Sequence, residues 1–132
     1  MKIDHITNVS GGPEASGPYS LGVVAEGRYL FISGQGPYDP ELGRFVCGSV
    51  AEQTELTLAN LDRVIKAAGG SRENVVSCRV YLQQLTEANF KAMNEVYAKF
   101  YGDAKPSRTT IGCQLLNIDV EIDAVVLLPD AG

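Results

Sequence analysis

From Ser49 to Leu128 the apolar residues alternate between helical and strand spacing, and a chain built that way buries them by laying helices on a sheet. Ser49-Val50-Ala51-Glu52 has the form of a capping box, in which the serine hydroxyl and the glutamate carboxylate each satisfy a backbone N–H that a helix start leaves unpaired. Ala51, Leu58, Leu61, Ile65 and Ala68 follow at helical spacing as far as Gly69-Gly70, whose first glycine suits a left-handed C-terminal residue. The spacing of those signals predicts a helix of about twenty residues. From Val75 to Leu82 the period drops to that of a strand, with Val76, Cys78, Val80 and Leu82 on one face and Ser77, Arg79 and Tyr81 on the other. Leu85-Thr86 supplies a hydrophobic staple and an N-cap for a second helix. Phe90 stands where the staple partner belongs, Phe90, Met93, Tyr97 and Phe100 form one stripe, and Gly102 ends it. Arg108–Cys113 and Val120–Leu128 read as the last two strands.

The N-terminal third is less regular. Gly11 to Pro18 is rich in glycine and proline and reads as a loop; Leu21–Glu26 and Tyr29–Ser33 are strand-like runs parted by Gly27-Arg28, which suggests a hairpin. Gly34-Gln35-Gly36-Pro37 then breaks the pattern, and a second loop runs to about Arg44. No repeat or linker divides the chain, so 1–132 is expected to be one domain of 132 residues, 45% of them hydrophobic. Two helices cover only one face of a sheet. On the last strand Val125 and Leu127 stand on the second face, so they and Tyr81 are expected to be wet in a monomer, which marks a homo-oligomer.

The formal charge of −5, with lysines and arginines scattered, leaves no electrostatic footprint for nucleic acid and disfavours anionic membranes. Without an apolar stretch long enough for a signal peptide or a membrane span, a cytoplasmic protein is expected. Cys47, Cys78 and Cys113 are odd in number and far apart, which fits neither a disulfide framework nor a zinc site, so reduced core or strand residues are expected. Asn8-Val9-Ser10 is a glycosylation sequon by chance. His5, the lone histidine, is far from every other motif and is expected to be a solvated strand residue, so a Ser-His-Asp or Cys-His arrangement is not offered. Gly34-Gln35-Gly36 lacks the third glycine and the following helix of a dinucleotide loop. With no nucleophile–base pair and no metal cluster, the chemistry open to the chain needs little beyond positioning and charge.

Gly17-Pro18-Tyr19, Ser33-Gly34-Gln35, Asn94, Pro106-Ser107-Arg108 and Val120-Glu121-Ile122 resemble, in order and separation, the successive hallmarks of the RidA (YjgF) family. The match spans roughly residues 15 to 128. The resemblance implies an α+β, chorismate-mutase-like fold, a mixed sheet with two helices on one face, in a homotrimer whose clefts lie between subunits. It also implies hydrolysis, without cofactor or metal, of 2-aminoacrylate, 2-iminopropanoate and related acids to 2-ketoacids and ammonia.

By the same resemblance Arg108 is the carboxylate anchor, a task its planar guanidinium performs with two parallel hydrogen bonds where a lysine gives only a point charge. An arbitrary arginine more often sits in a structural ion pair. Glu121, on the strand face opposite Val120 and Ile122, matches the carboxylate that orients or deprotonates the attacking water, and a buried setting would raise its pKa toward that role. The plain alternative is a surface glutamate. Tyr19 matches a ligand contact, or is a packing plug. Asn94 sits beside Met93 on the apolar stripe, where a buried amide needs partners, and binds substrate or ties a loop. Ser33 and Gly34 end a strand where backbone can approach a ligand closely, or form an ordinary turn. Thr110 stands where many relatives have cysteine, so only its backbone N–H is assigned to the carboxylate site. The segment Leu116-Asn117-Ile118-Asp119 is shorter than in several relatives, at the presumed cleft mouth. Competing readings are a 2-aminomuconate-type deaminase, a non-enzymatic 2-ketoacid-binding regulator, and an RNA-cleaving inhibitor, the last at odds with the acidic charge.

Overall fold

Both expected helices form, and their caps account for where they start. The computed structural model describes residues 2–130, so both ends of the 1–132 span lie outside it. In α1 (Val50–Ala67) the Ser49 hydroxyl accepts from the Glu52 N–H at 3.1 Å and the Glu52 carboxylate accepts from the Ser49 N–H at 3.3 Å. In α2 (Glu87–Tyr101) the Thr86 hydroxyl accepts from the Asn89 N–H, and Gly102 closes the last turn at φ 60°. Gly69, at φ 81°, is the left-handed residue expected after α1.

The main sheet has four strands in the order β3 (Arg28–Gln35), β8 (Val120–Leu128), β6 (Val75–Leu82), β7 (Ser107–Gly112). β8 is antiparallel to both neighbours, whereas β6 and β7 are parallel because α2 carries the chain across between them. The sheet is therefore mixed and the fold is α+β. Leu58, Leu61 and Ile65 of α1 and Met93 and Tyr97 of α2 close over Val80, Leu82, Val120, Ile122 and Val126 on one face, all of them fully buried. Truncating any of these large apolar side chains to alanine costs about 2–5 kcal/mol.

Five expectations are corrected. β2 (Gly22–Glu26) and β3 do not form a hairpin: β2 pairs with an unexpected strand, β1 (Lys2–Ile6), and β3 with β8. Only Gly27, at φ 141°, parts β2 from β3, too little chain to reverse it, so the chain turns a corner from one sheet into another. His5, in β1 opposite Val23, is half-buried rather than solvated. On β6 the irregular pairing between Val75 and Ser77 puts Val75, not Val76, into the core. Leu127 is not wet: the corner at Gly27 packs on it, and the Tyr29 hydroxyl, on its register partner, donates to the Ala25 carbonyl of β2. The apolar surface of the second face instead centres on Phe31, 76% exposed beside half-buried Val125. The loop before α1 carries two short strands, β4 (Tyr38–Asp39) and β5 (Arg44–Phe45). Cys78 is a core strand residue, while Cys47 is exposed rather than buried; all three cysteines are free. No helix among the described residues is long and apolar enough to cross a membrane.

Candidate functional site

β7 is an edge strand, and Arg108 leaves it on the helix-covered face, level with Cys78 and Ala124. The loop before β2 is stitched to the start of β7: the Ser20 N–H donates to the Pro106 carbonyl at 3.0 Å, and the Ser20 hydroxyl to the Lys105 carbonyl at 2.6 Å. That seam brings Tyr19 over the guanidinium. A side chain at Gly17 would stand 2.9 Å from Arg108 Nη2, so the approach depends on glycine. Arg108 Nη1 donates to Asn94 Oδ1 at 2.7 Å, and its Cζ lies 4.9 Å from the Tyr97 ring centre, 5.2 Å from Tyr19 and 5.6 Å from Phe90. Among the described residues no carboxylate forms an ion pair with it, and Nε finds no hydrogen-bond partner. Burial pulls its pKa below the usual guanidinium value, yet an arginine remains cationic at any physiological pH. The Tyr19 phenol is drawn below its ordinary pKa, first by its hydrogen bond with the Ser16 side chain. Burial drives the Tyr97 phenol well above its own. A pocket of about 160 Å³ opens here, lined by Ser16, Tyr19, Phe90, Arg108 and Thr110, and the buried Thr110 hydroxyl has no partner.

Glu121 stands elsewhere. It pairs with Tyr81 across β6 and β8, three residues from the Cys78–Ala124 pair, and side chains that far apart along a strand point to opposite faces. A bulge in β3 between Ile32 and Gln35 holds Ser33 and Gly34 against this strand, and a Cβ on Gly34 would fall 2.6 Å from Glu121 Oε2. Glycine lets the carboxylate lie on the backbone. Gln53, buried in α1, accepts from the Asp119 N–H and donates to its carboxylate, both at 2.8 Å, and so fixes the loop before β8. In that loop Asn117 adopts φ 61°. The resulting pocket, about 360 Å³, is lined by Gly34, Gly36, Phe45, Leu116, Asn117, Ile118 and Glu121.

The candidate residues thus fall into two groups. Tyr19, Asn94, Arg108 and Thr110 come together; Gly34 and Glu121 come together, with Ser33 exposed beside them; and the two groups face away from one another within one chain. Asn94 spends its oxygen on Arg108, which makes it a support for the guanidinium. Sequence reading missed Phe90 as a wall of the Arg108 pocket and Tyr97 as the ring behind the guanidinium, because their spacing marks only a core stripe. Phe45, Leu116 and Ile118 carried no signal beyond lying in loops. Among the described residues no three His, Cys, Asp or Glu side chains gather as a metal site would.

Residues 10–128 match the family described as Endoribonuclease L-PSP. A RutC family protein of Pyrococcus horikoshii is 41% identical over 115 residues, which are 86% of this chain and 89% of that protein. The human 2-iminobutanoate/2-iminopropanoate deaminase is 34% identical over 127 residues, 95% of this chain and 90% of its own length. Among solved structures, a Yersinia pestis protein of the conserved Rid family superposes with a TM-score of 0.86 at 31% identity, over 97% of this chain and all of the other.

Proposed function

The chain belongs to the RidA/YjgF family, and on that premise we propose that it hydrolyses 2-imino and 2-enamino acids to 2-ketoacids and ammonia without a cofactor. One observation carries this reading: a half-buried guanidinium, walled by aromatic rings, that no carboxylate among the described residues partners. A charge so placed costs free energy until an anion arrives, so the pocket is fitted to a small acid. Its size suits the acid end of 2-aminoacrylate or 2-iminopropanoate.

In this mechanism Arg108 holds the substrate carboxylate through its unspent N–H groups, with the Thr110 backbone N–H beside it, and Tyr19 closes the pocket. The protonated imine carbon is already electrophilic and needs one aimed water. Glu121 is the group to aim it and take its proton; because it lies on the other face, it would come from a neighbouring copy, in a homotrimer with sites between subunits. Water adds to C2, the C–N bond breaks, and the iminium acid plus water becomes a 2-ketoacid plus ammonium. A ribonuclease needs a cationic track along the strand, whereas this chain has 16 acidic against 11 basic residues and encloses its guanidinium.

The test follows 2-iminopropanoate, generated in situ by a dehydratase, with wild type and Arg108→Ala. Rapid decay with wild type alone is expected, and equal decay with both contradicts the reading. Tight 2-ketoacid binding without faster decay would favour the regulatory alternative, and preference for a 2-aminomuconate-type substrate the larger-acid one.

A further inference from the structure

The buried Cys78, Tyr97 and Tyr101 cluster does not line the Arg108 pocket, yet it stands directly behind the guanidinium. Of the three rings around the guanidinium, that of Tyr97 is nearest, at 4.9 Å, and it is fully buried, whereas Tyr19 is half-buried in a loop. The Tyr97 ring is itself held. Tyr101 packs on it with centres 4.8 Å apart, Phe100 packs edge-on against Tyr101 at 4.8 Å, and the Tyr101 hydroxyl lies 3.0 Å from Cys78 Sγ. Cys78 is the register partner of Arg108 in the parallel β6–β7 pair. The contacts therefore close a circuit, from Arg108 to Tyr97, Tyr101 and Cys78 and back across the strands.

How the guanidinium is held decides which of its donors remain. A carboxylate grip would spend N–H groups and compete with the substrate's own acid group. A ring face attracts the cation without taking a hydrogen bond. Asn94, three residues before Tyr97 on α2, takes Nη1; among the described residues Nε is buried without a partner, and Nη2 lies where only a glycine at position 17 leaves it room.

We propose that Tyr97 is a positioning residue for Arg108, its ring face rather than its hydroxyl setting the angle at which the guanidinium meets a substrate carboxylate. The proposal rests on the reading of Arg108 as the carboxylate anchor. Its test replaces Tyr97 in the full chain by Phe, by a series of increasingly fluorinated phenylalanines, and by Leu. Three readouts are taken: the Arg108 Nε–H signal and its rotation about Cζ–Nε by NMR, the Kd for 2-ketobutyrate, and kcat and KM for imine decay.

Phe is expected to stay within about twofold of wild type, while the fully fluorinated ring and Leu weaken 2-ketobutyrate binding about 10-fold, with KM rising more than kcat falls. The Nε–H signal should move, and its rotation quicken, in step with fluorination. Binding and Nε–H signals that are flat across the fluorine series, or Phe as damaging as Leu, would overturn the proposal. Should Leu fail to fold, the isosteric fluorinated series still decides. If wild type neither binds 2-ketobutyrate nor hydrolyses imine, the functional reading fails, and the Nε–H series still reports whether the ring holds Arg108.

Discussion

Around Arg108 four stretches of one chain converge, the 16–20 loop, α2, β6 and β7; rings and the Asn94 amide hold the guanidinium, and a small pocket opens beside it. Around Glu121 the walls are loop residues left open, Leu116 at 87% and Phe45 at 54% exposure, and Phe31 stands bare on the same sheet face. The first pocket is walled within one chain; the second has an exposed apolar rim. An open apolar rim beside a carboxylate is what a contact between copies leaves when the copies are apart. On the proposed function the difference explains why neither group alone would suffice: the first would hold an acid without a base, and the second would offer a base with nothing to hold the acid.

The sharpest way to break this division is Arg108→Ala, expected to lower kcat/KM about 10³-fold, from the loss of two charge-assisted hydrogen bonds, and to abolish 2-ketoacid binding in a calorimetric titration. Glu121→Gln should instead lower kcat about 10²-fold and leave ketoacid affinity unchanged, as expected of a group that works only on water. Equal loss of affinity in both variants would merge the two roles. Two glycines give a finer contrast. Gly34→Ala pushes a methyl group into the Glu121 carboxylate and should cut kcat about 10-fold, whereas Gly17→Ala crowds Arg108 Nη2 and should raise KM by a similar factor, at about 1.4 kcal/mol per tenfold change. Steady-state kinetics on both variants check the split.

A last effect, on stability rather than on activity, concerns the packing behind Arg108. Burial pushes the Cys78 thiol up to about 11, while in the unfolded chain it ionises near pH 8.5. Between those limits only the unfolded state sheds the proton, so the stabilising contribution is full below the unfolded value and is lost as pH rises toward the folded one. The loss is about 3 kcal/mol at most. Urea midpoints from pH 8 to 10.5 should fall less steeply in Cys78→Ala than in wild type, and parallel slopes would mean that the thiol is not sealed.

What was legible in the sequence was local. Ser49 with Glu52, Thr86 and Gly69 bond or bend within their own turn, so the helix ends could be read directly. The alternation of Val120–Leu128 gave that strand its limits and put Glu121 opposite the core face. What was not legible was set by distant partners. β1 was invisible until β2 needed a neighbour, and the fate of Leu127 hung on where Gly27 turned the chain. The face on which Arg108 emerges depends on its parallel register with Cys78, thirty residues away, and nothing in Pro106-Ser107-Arg108 records it. That is why one motif list concealed two separate groups of residues.

The most direct test mixes two variants that are each inactive, Arg108→Ala and Glu121→Gln, by refolding or co-expression, and assays imine hydrolysis in the mixed assemblies. If each site takes its guanidinium from one copy and its carboxylate from another, random mixing should restore about one quarter of wild-type activity. Mixtures as inactive as their parents, with exchange of copies verified by mass, would contradict the account.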